Sequence, residues 1–218
     1  MMNKQQQIDT IIQAVKKELQ NAEGGHDWLH IERVWRNAKL IAQTESADLF
    51  VVELAALLHD IADSKFNNGD EEIGPHKARE ILISNNIASD TIEHVIHIIE
   101  NVSFKGGNTQ STFDSIELQI VQDADRLDAI GAIGIARAFN YGGFKNRSIF
   151  DPTIQPHLTQ TKDEYKNSTA PTINHFYEKL LLLKDRMNTT TGKQLAVQRH
   201  QFMEVYLKQF YSEWNGNA

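Results

Sequence analysis

Residues 57–65 read LLHDIADSK. The two leucines close an apolar run that starts at Val51, and they lead directly into His59, Asp60, Asp63 and Lys65. A polar group left unpaired on a buried helix face costs about 1–3 kcal/mol, and a charged one more. The run predicts a helix over about 48–62 whose last turn needs either hydrogen-bond partners or a metal ion.

On both sides of this stretch the apolar residues keep helical spacing. Ile8, Ile11, Ile12, Val15 and Leu19 predict a first helix that ends at Gly24 and Gly25. Leu29, Val34, Ala38 and Ile41 predict a second over about 27–44. Asn67 to Asp70 reads as a turn, and Pro75 suits the first turn of the next helix. In SDTIEHVIHIIENV, Ser89 or Asp90 is the expected cap before Ile92, Val95, Ile96 and Ile99. A polar loop is expected over 102–113, then one long helix over about 114–140. Residues 141–171, with Gly142 and Gly143, are the least regular region. Helices near 172–187 and 192–214 complete an all-α chain, because no segment alternates with the two-residue period of a strand.

Composition narrows the function. Among 218 residues, 40% hydrophobic and 23% charged content is ordinary for a globular protein. No run approaches the roughly 20 apolar residues of a membrane span, and the N-terminal segment reads as an amphipathic helix rather than a signal peptide. The chain has no cysteine, which excludes a thiolate zinc site and suits a cytoplasmic location. A net charge of −7 argues against nucleic-acid binding. Neither glycine-rich phosphate loop is present, so an anionic substrate needs a local basic pocket or a cation.

His59 continues the face of Val51, Val52 and Ala55, and Asp60 projects about 100° from it. Both reach one point at the end of their helix. His30 precedes Val34 by four residues and points inward too. Asp125 follows Val121 by four, on the core side of its helix, whereas Asp123 points elsewhere. Two imidazoles and two carboxylates form a mixed site that suits Mn²⁺, Fe²⁺, Mg²⁺ or Ni²⁺ better than structural zinc. Spacing alone does not separate such a site from hydrogen-bonded core histidines.

In order along the chain, His30 with "ERVWRNA" near it, then "LAALLHDIADSKF", then "DADRLDAIG" resembles the HD-domain metal-dependent phosphohydrolase superfamily. Within it, the resemblance is closer to the small bacterial YedJ/YpgQ-like group. The motifs span about 26–140, and the helices after 172 also look like that group's C-terminal segment. The resemblance implies a single HD-type helical domain over 1–218, with extra helices over about 141–218. It also implies one divalent ion, Mn²⁺ first among the candidates, held by His30, His59, Asp60 and Asp125. Some relatives bind a second metal through additional histidines. Here His76, His94 and His97 lack the expected pairing and read as surface or supporting groups.

Asp63, one turn beyond Asp60, is the non-ligand carboxylate placed to position or deprotonate water, a role some superfamily members assign to an acid here. Lys65, Lys105 in "SFKGG" and Arg126 are candidate phosphate contacts, and Arg126 has the alternative of pairing with an acid such as Asp123. The resemblance gives His26, at the site mouth, a substrate or acid role. Residues 142–147 are placed as a cover over the pocket. The expected activity is nucleotide pyrophosphohydrolysis, with phosphomonoesterase action or a non-catalytic nucleotide-binding regulator as alternatives. The expected partner is a small phosphorylated molecule rather than nucleic acid or membrane, and a homodimer stays open.

Overall fold

A computed structural model of the chain describes residues 2–20, 27–62, 72–102, 113–159, 164 and 168–217. It divides into two compact units, Met1–Asp125 and Arg126–Ala218, so the division falls well before residue 140. Among the described residues every regular element is helical, and no helix is long and apolar enough to cross a membrane.

In the first unit, α1 (Lys4–Glu18) starts from a reciprocal capping box. The Asn3 side chain accepts from the Gln6 N–H, and Gln6 Oε1 accepts from the Asn3 N–H, each at 2.9 Å. Ile8, Ile11 and Val15 form its buried stripe. Helix α2 (Trp28–Ala42) is capped by Asp27, whose Oδ1 accepts from the His30 N–H at 3.0 Å. Helix α3 (Leu49–Leu58) is buried almost all round, from Val51 to Leu58 with Glu53 excepted. It packs against α1, α2 and α5, which is why no polar face is left on it. Helices α4 (Ile73–Ser84) and α5 (Ser89–Val102) pack against each other, and α6 (Ile116–Asp128) carries the chain to the end of the unit.

Helix α3 stops four residues short of the expected Ala62. The Ala56 carbonyl, which would accept from the Asp60 N–H in a longer helix, accepts instead from His59 Nδ1 at 2.9 Å. Past Leu58 the chain tightens, with the Ile61 N–H bonded to the Leu58 carbonyl at 3.2 Å. Helix α5 begins at Ser89 itself, and the Ile92 N–H bonds to the Ala88 carbonyl, so neither Ser89 nor Asp90 lies ahead of the helix as a cap. The expected turn at 67–70, most of the 102–113 loop, and Gly24 and Gly25 lie outside the described residues.

The second unit corrects the sequence reading three times. The single helix expected over 114–140 is two, because Ile130 is extended (φ −128°, ψ 167°) and α7 (Gly131–Phe144) starts at a left-handed glycine with φ +74°. Any other residue is strained there, and a Cβ would also press within 3.0 Å of the Arg199 side chain. Gly142 and Gly143 belong to the last turn of α7 rather than to a loop. A Cβ on Gly142 would meet Thr172 Oγ1 at 2.1 Å, so this glycine serves close packing. Finally, the helix expected over 172–187 breaks at Lys179 (φ −143°) into α8 (Thr172–Glu178) and a 3-10 helix (Leu180–Arg186). Within the apolar run LLLL, Leu180 and Leu183 are the buried pair, three residues apart as a 3-10 turn requires. Helix α9 (Thr190–Trp214) starts from Thr189, whose Oγ1 accepts from the Gly192 N–H at 2.9 Å. Phe139, Phe176 and Tyr206 form one ring cluster, with centroids about 6 Å apart.

Candidate metal centre

His30 lies on the third residue of α2, where the Asp27 cap fixes the helix start beneath it. His59 is the residue at which α3 ends, still in helical conformation (φ −59°, ψ −28°). Their side chains are 3% and 5% exposed, so both imidazoles are taken out of water. The rings meet edge-on with centroids 5.5 Å apart.

The hydrogen bond that ends α3 also sets the chemistry of His59. A carbonyl can only accept, so Nδ1 carries a proton, and in the neutral ring this leaves the lone pair on Nε2. A backbone carbonyl on the far nitrogen is the usual way a ligating imidazole is oriented. Asp60 follows directly. Ligand atoms of His30, His59 and Asp60 all lie within 4.8 Å of one another, the only such group of three or more among the described residues.

Asp125 comes from α6, which polar links hold to the helices bearing the histidines. Asn37 of α2 donates to the Ala124 carbonyl at 3.4 Å, and the N–H of Asp48, which caps α3, donates to Glu117 Oε1 at 2.9 Å. Asp125 Oδ1 then lies 3.6 Å from His30 Nε2 and 3.9 Å from His59 Nε2. These separations exceed hydrogen bonds. Two donors each about 2.1 Å from one ion stand roughly 3.0 Å apart when adjacent and 4.2 Å when opposite. The spacing and the nitrogen–oxygen donor set therefore fit a divalent cation.

Asp125 was expected on the core side of its helix. Its side chain is 42% exposed, so it faces an open site, while Asp123 is the fully buried member of the pair. The spacing carried that signal: Asp123 falls three residues after Ile120 and four before Leu127, both wholly buried. Glu117, buried and joined to the N–H of Asp48 just ahead of α3, was not recognised from sequence either, since nothing local marks a carboxylate for a distant backbone group.

Of the other predicted site residues, His26, Asp63, Lys65 and Lys105 lie outside the described residues. Arg126 belongs to the second unit, where its Nη1 donates to the Arg186 carbonyl at 2.6 Å. The three additional histidines stand apart from the ligand group. His76 lies 3.8 Å from Glu80, His94 is 3.2 Å from Ser115 Oγ and 3.5 Å from Glu117, and His97 is 3.4 Å from Glu100.

The HD domain family model matches residues 28–130, which contain His30, His59, Asp60 and Asp125. The chain is 38% identical to the uncharacterized protein YpgQ of Bacillus subtilis over 97% of its own length and 94% of that protein's. A crystal structure of an HD-superfamily hydrolase from Bacillus thuringiensis is 45% identical, with a TM-score of 0.79, covering 98% of this chain and 99% of the other. The crystal structure of B. subtilis YpgQ in complex with ADP is 38% identical, with a TM-score of 0.78 and 97% of each chain covered. With the ligand geometry, these matches place the chain in the HD domain family, whose fold implies a bound divalent metal, as one of its metal-dependent phosphohydrolases.

Proposed function

We propose that this protein is a cytoplasmic nucleotide pyrophosphohydrolase, converting a nucleoside triphosphate to the monophosphate and pyrophosphate, with Mn²⁺ held by His30, His59, Asp60 and Asp125. The observation that carries the ligand set is the approach of Asp125 Oδ1 to both histidine Nε2 atoms, at 3.6 and 3.9 Å. The nucleotide part draws on the ADP complex of YpgQ.

A divalent ion at this position supplies positive charge to phosphoryl oxygens and acidity to the attacking water. His59 contributes a fixed tautomer, and the buried rings keep the donor geometry from relaxing. Asp63 is assigned the proton that water loses as its oxygen bonds to the α-phosphorus and the bond to the bridging oxygen breaks. Lys65, Lys105 and Arg126 are assigned to phosphoryl oxygens, where cations stabilise departing pyrophosphate. Arg126 fills this role only with donors other than the Nη1 bond to Arg186. His26 is assigned to the mouth of the site.

Phosphorus NMR of a nucleoside triphosphate incubated with the Mn²⁺-loaded protein tests the bond. Pyrophosphate and monophosphate are expected as the first products. Orthophosphate appearing first would rule out attack at the α-phosphorus, and turnover of monophosphates would then favour a phosphomonoesterase. No turnover with any of Mn²⁺, Mg²⁺, Fe²⁺ or Ni²⁺ would leave a nucleotide-binding regulator.

A further inference from the structure

One buried carboxylate of the first unit takes no part in the chemistry above. Glu117, on the first turn of α6, is 7% exposed. Its Oε1 accepts from the Asp48 N–H at 2.9 Å. Its Oε2 lies 3.5 Å from His94 Nε2, which is also 3.2 Å from Ser115 Oγ. All four residues belong to the first unit.

Asp48 is the N-cap of α3, and its Oδ1 accepts from the Phe50 N–H at 2.8 Å. The other half of a capping box is a side chain three residues further on that accepts from the cap's own N–H. Gln6 does this for Asn3 at the start of α1. The corresponding residue of α3 is Val51, which is buried in the core and has no side-chain acceptor. Glu117 supplies the missing acceptor from another helix.

The carboxylate stands at the positive ends of two helices, since it lies on the first turn of α6 and against the cap of α3. At the other end of the pair, Asp125 Oδ1 of α6 lies 3.9 Å from Nε2 of His59, where α3 stops. The two helices therefore run in the same direction, joined at their starts by Glu117 and meeting again at the ligand group. Both turn their negative ends toward it.

Glu117 and Asp125 are eight residues apart, about 12 Å along the helix axis. Leu118, Val121 and Leu127 bury apolar surface in the core, and that force has no direction. A hydrogen bond has a length and an angle, so it fixes where α6 stands along α3. Sliding α6 by one residue moves Asp125 by about 1.5 Å. That exceeds the roughly 1.2 Å between the adjacent and opposite donor spacings of one ion. The Asp125 side chain is 42% exposed, so its own packing does not correct such a slide.

We propose that Glu117 is a positioning residue for the metal: its reach to the Asp48 N–H sets the register of α6 against α3, and with it the distance from Asp125 to the histidines. The role rests on the ligand set assigned above, and it depends on reach rather than charge.

Mn²⁺ affinity of the full-length protein is measured by calorimetry without nucleotide, and denaturant unfolding is followed in EDTA on the same variants. Glu117→Gln keeps the reach and the accepting oxygen but loses the charge, and should bind Mn²⁺ with near-native affinity. Glu117→Asp keeps the charge but is one methylene shorter. It should weaken binding about 10–100-fold, the range for groups that orient a ligand from outside the coordination sphere. Glu117→Leu, which removes the acceptor, should do the same and takes its place if Glu117→Asp does not fold. Native affinity in the shortened variant, whatever its stability in EDTA, or lost affinity in Glu117→Gln, would overturn the proposal. His59→Ala tests the ligand set by itself: if that variant loses metal while Glu117→Asp keeps it, only the positioning role falls. A native protein without Mn²⁺ affinity would remove the ligand set and this role together.

Discussion

Both units bury aliphatic side chains, but only the second adds a run of packed rings, and the difference bears on what each can hold. The first is built from branched aliphatics around α3, a helix buried from Val51 to Leu58 except at Glu53. Aliphatic packing has little tolerance for movement, and two imidazoles embedded at its edge are held with it. The second unit also buries aliphatic side chains, but a chain of rings runs beside them, from Phe139, Phe176 and Tyr206 through Phe210 to Phe150, Tyr211 and Trp214, of which Phe176 alone is fully buried. Rings bury much area per residue and pack in several orientations. They suit a unit whose main helix, α9, runs 25 residues and exposes Phe202 and Val205 along its length. The candidate donor group therefore belongs to the first unit, and the ring packing along α9 to the second.

Four substitutions sharpen or break this contrast. His59→Ala should have the largest effect. Turnover should fall to background, and metal affinity should fall by more than the roughly 10–100-fold that loss of an outer-sphere partner costs. Metal analysis of the purified variant decides it, and undiminished stoichiometric metal would remove His59 from the site.

Asp63→Asn should retain the metal and lower kcat by about 10²–10⁴-fold, the usual range for general-base removal, because an amide cannot take up the proton. Steady-state kinetics with metal content measured on the same sample separates a lost base from a lost ligand. A near-native kcat would demote Asp63 to a structural group.

Phe176→Ala empties the centre of the second unit's ring cluster, where Phe176 is wholly buried. Stability should fall by about 3–5 kcal/mol, read from denaturant unfolding, while the folded fraction keeps its metal. Loss of metal in step with loss of stability would show that the donor geometry depends on the second unit's packing, against the contrast drawn here.

Gly131→Ala should have the smallest effect, about 1–2 kcal/mol for a left-handed alanine, plus the displacement of Arg199 by the new Cβ. A thermal shift near zero would mean that the chain between α6 and α7 takes another course.

The sequence alone determined the all-α architecture and the existence of most helices, because an amphipathic period is a local property. The stripe of Ile8, Ile11 and Val15 is legible whatever packs on it. It also offered His30, His59 and Asp60 as a group, through helix faces and a family resemblance, and the structure brings their ligand atoms within 4.8 Å of one another. Tertiary structure decided the rest. The residue at which α3 ends depends on a side-chain bond from His59 to Ala56, and the break before α7 on a left-handed glycine beside Arg199. The burial of Asp123 and the openness of Asp125 follow from what lies across from each face of α6. Periodicity names the faces of a helix, but only the packed neighbours decide which face meets a core and which meets a site.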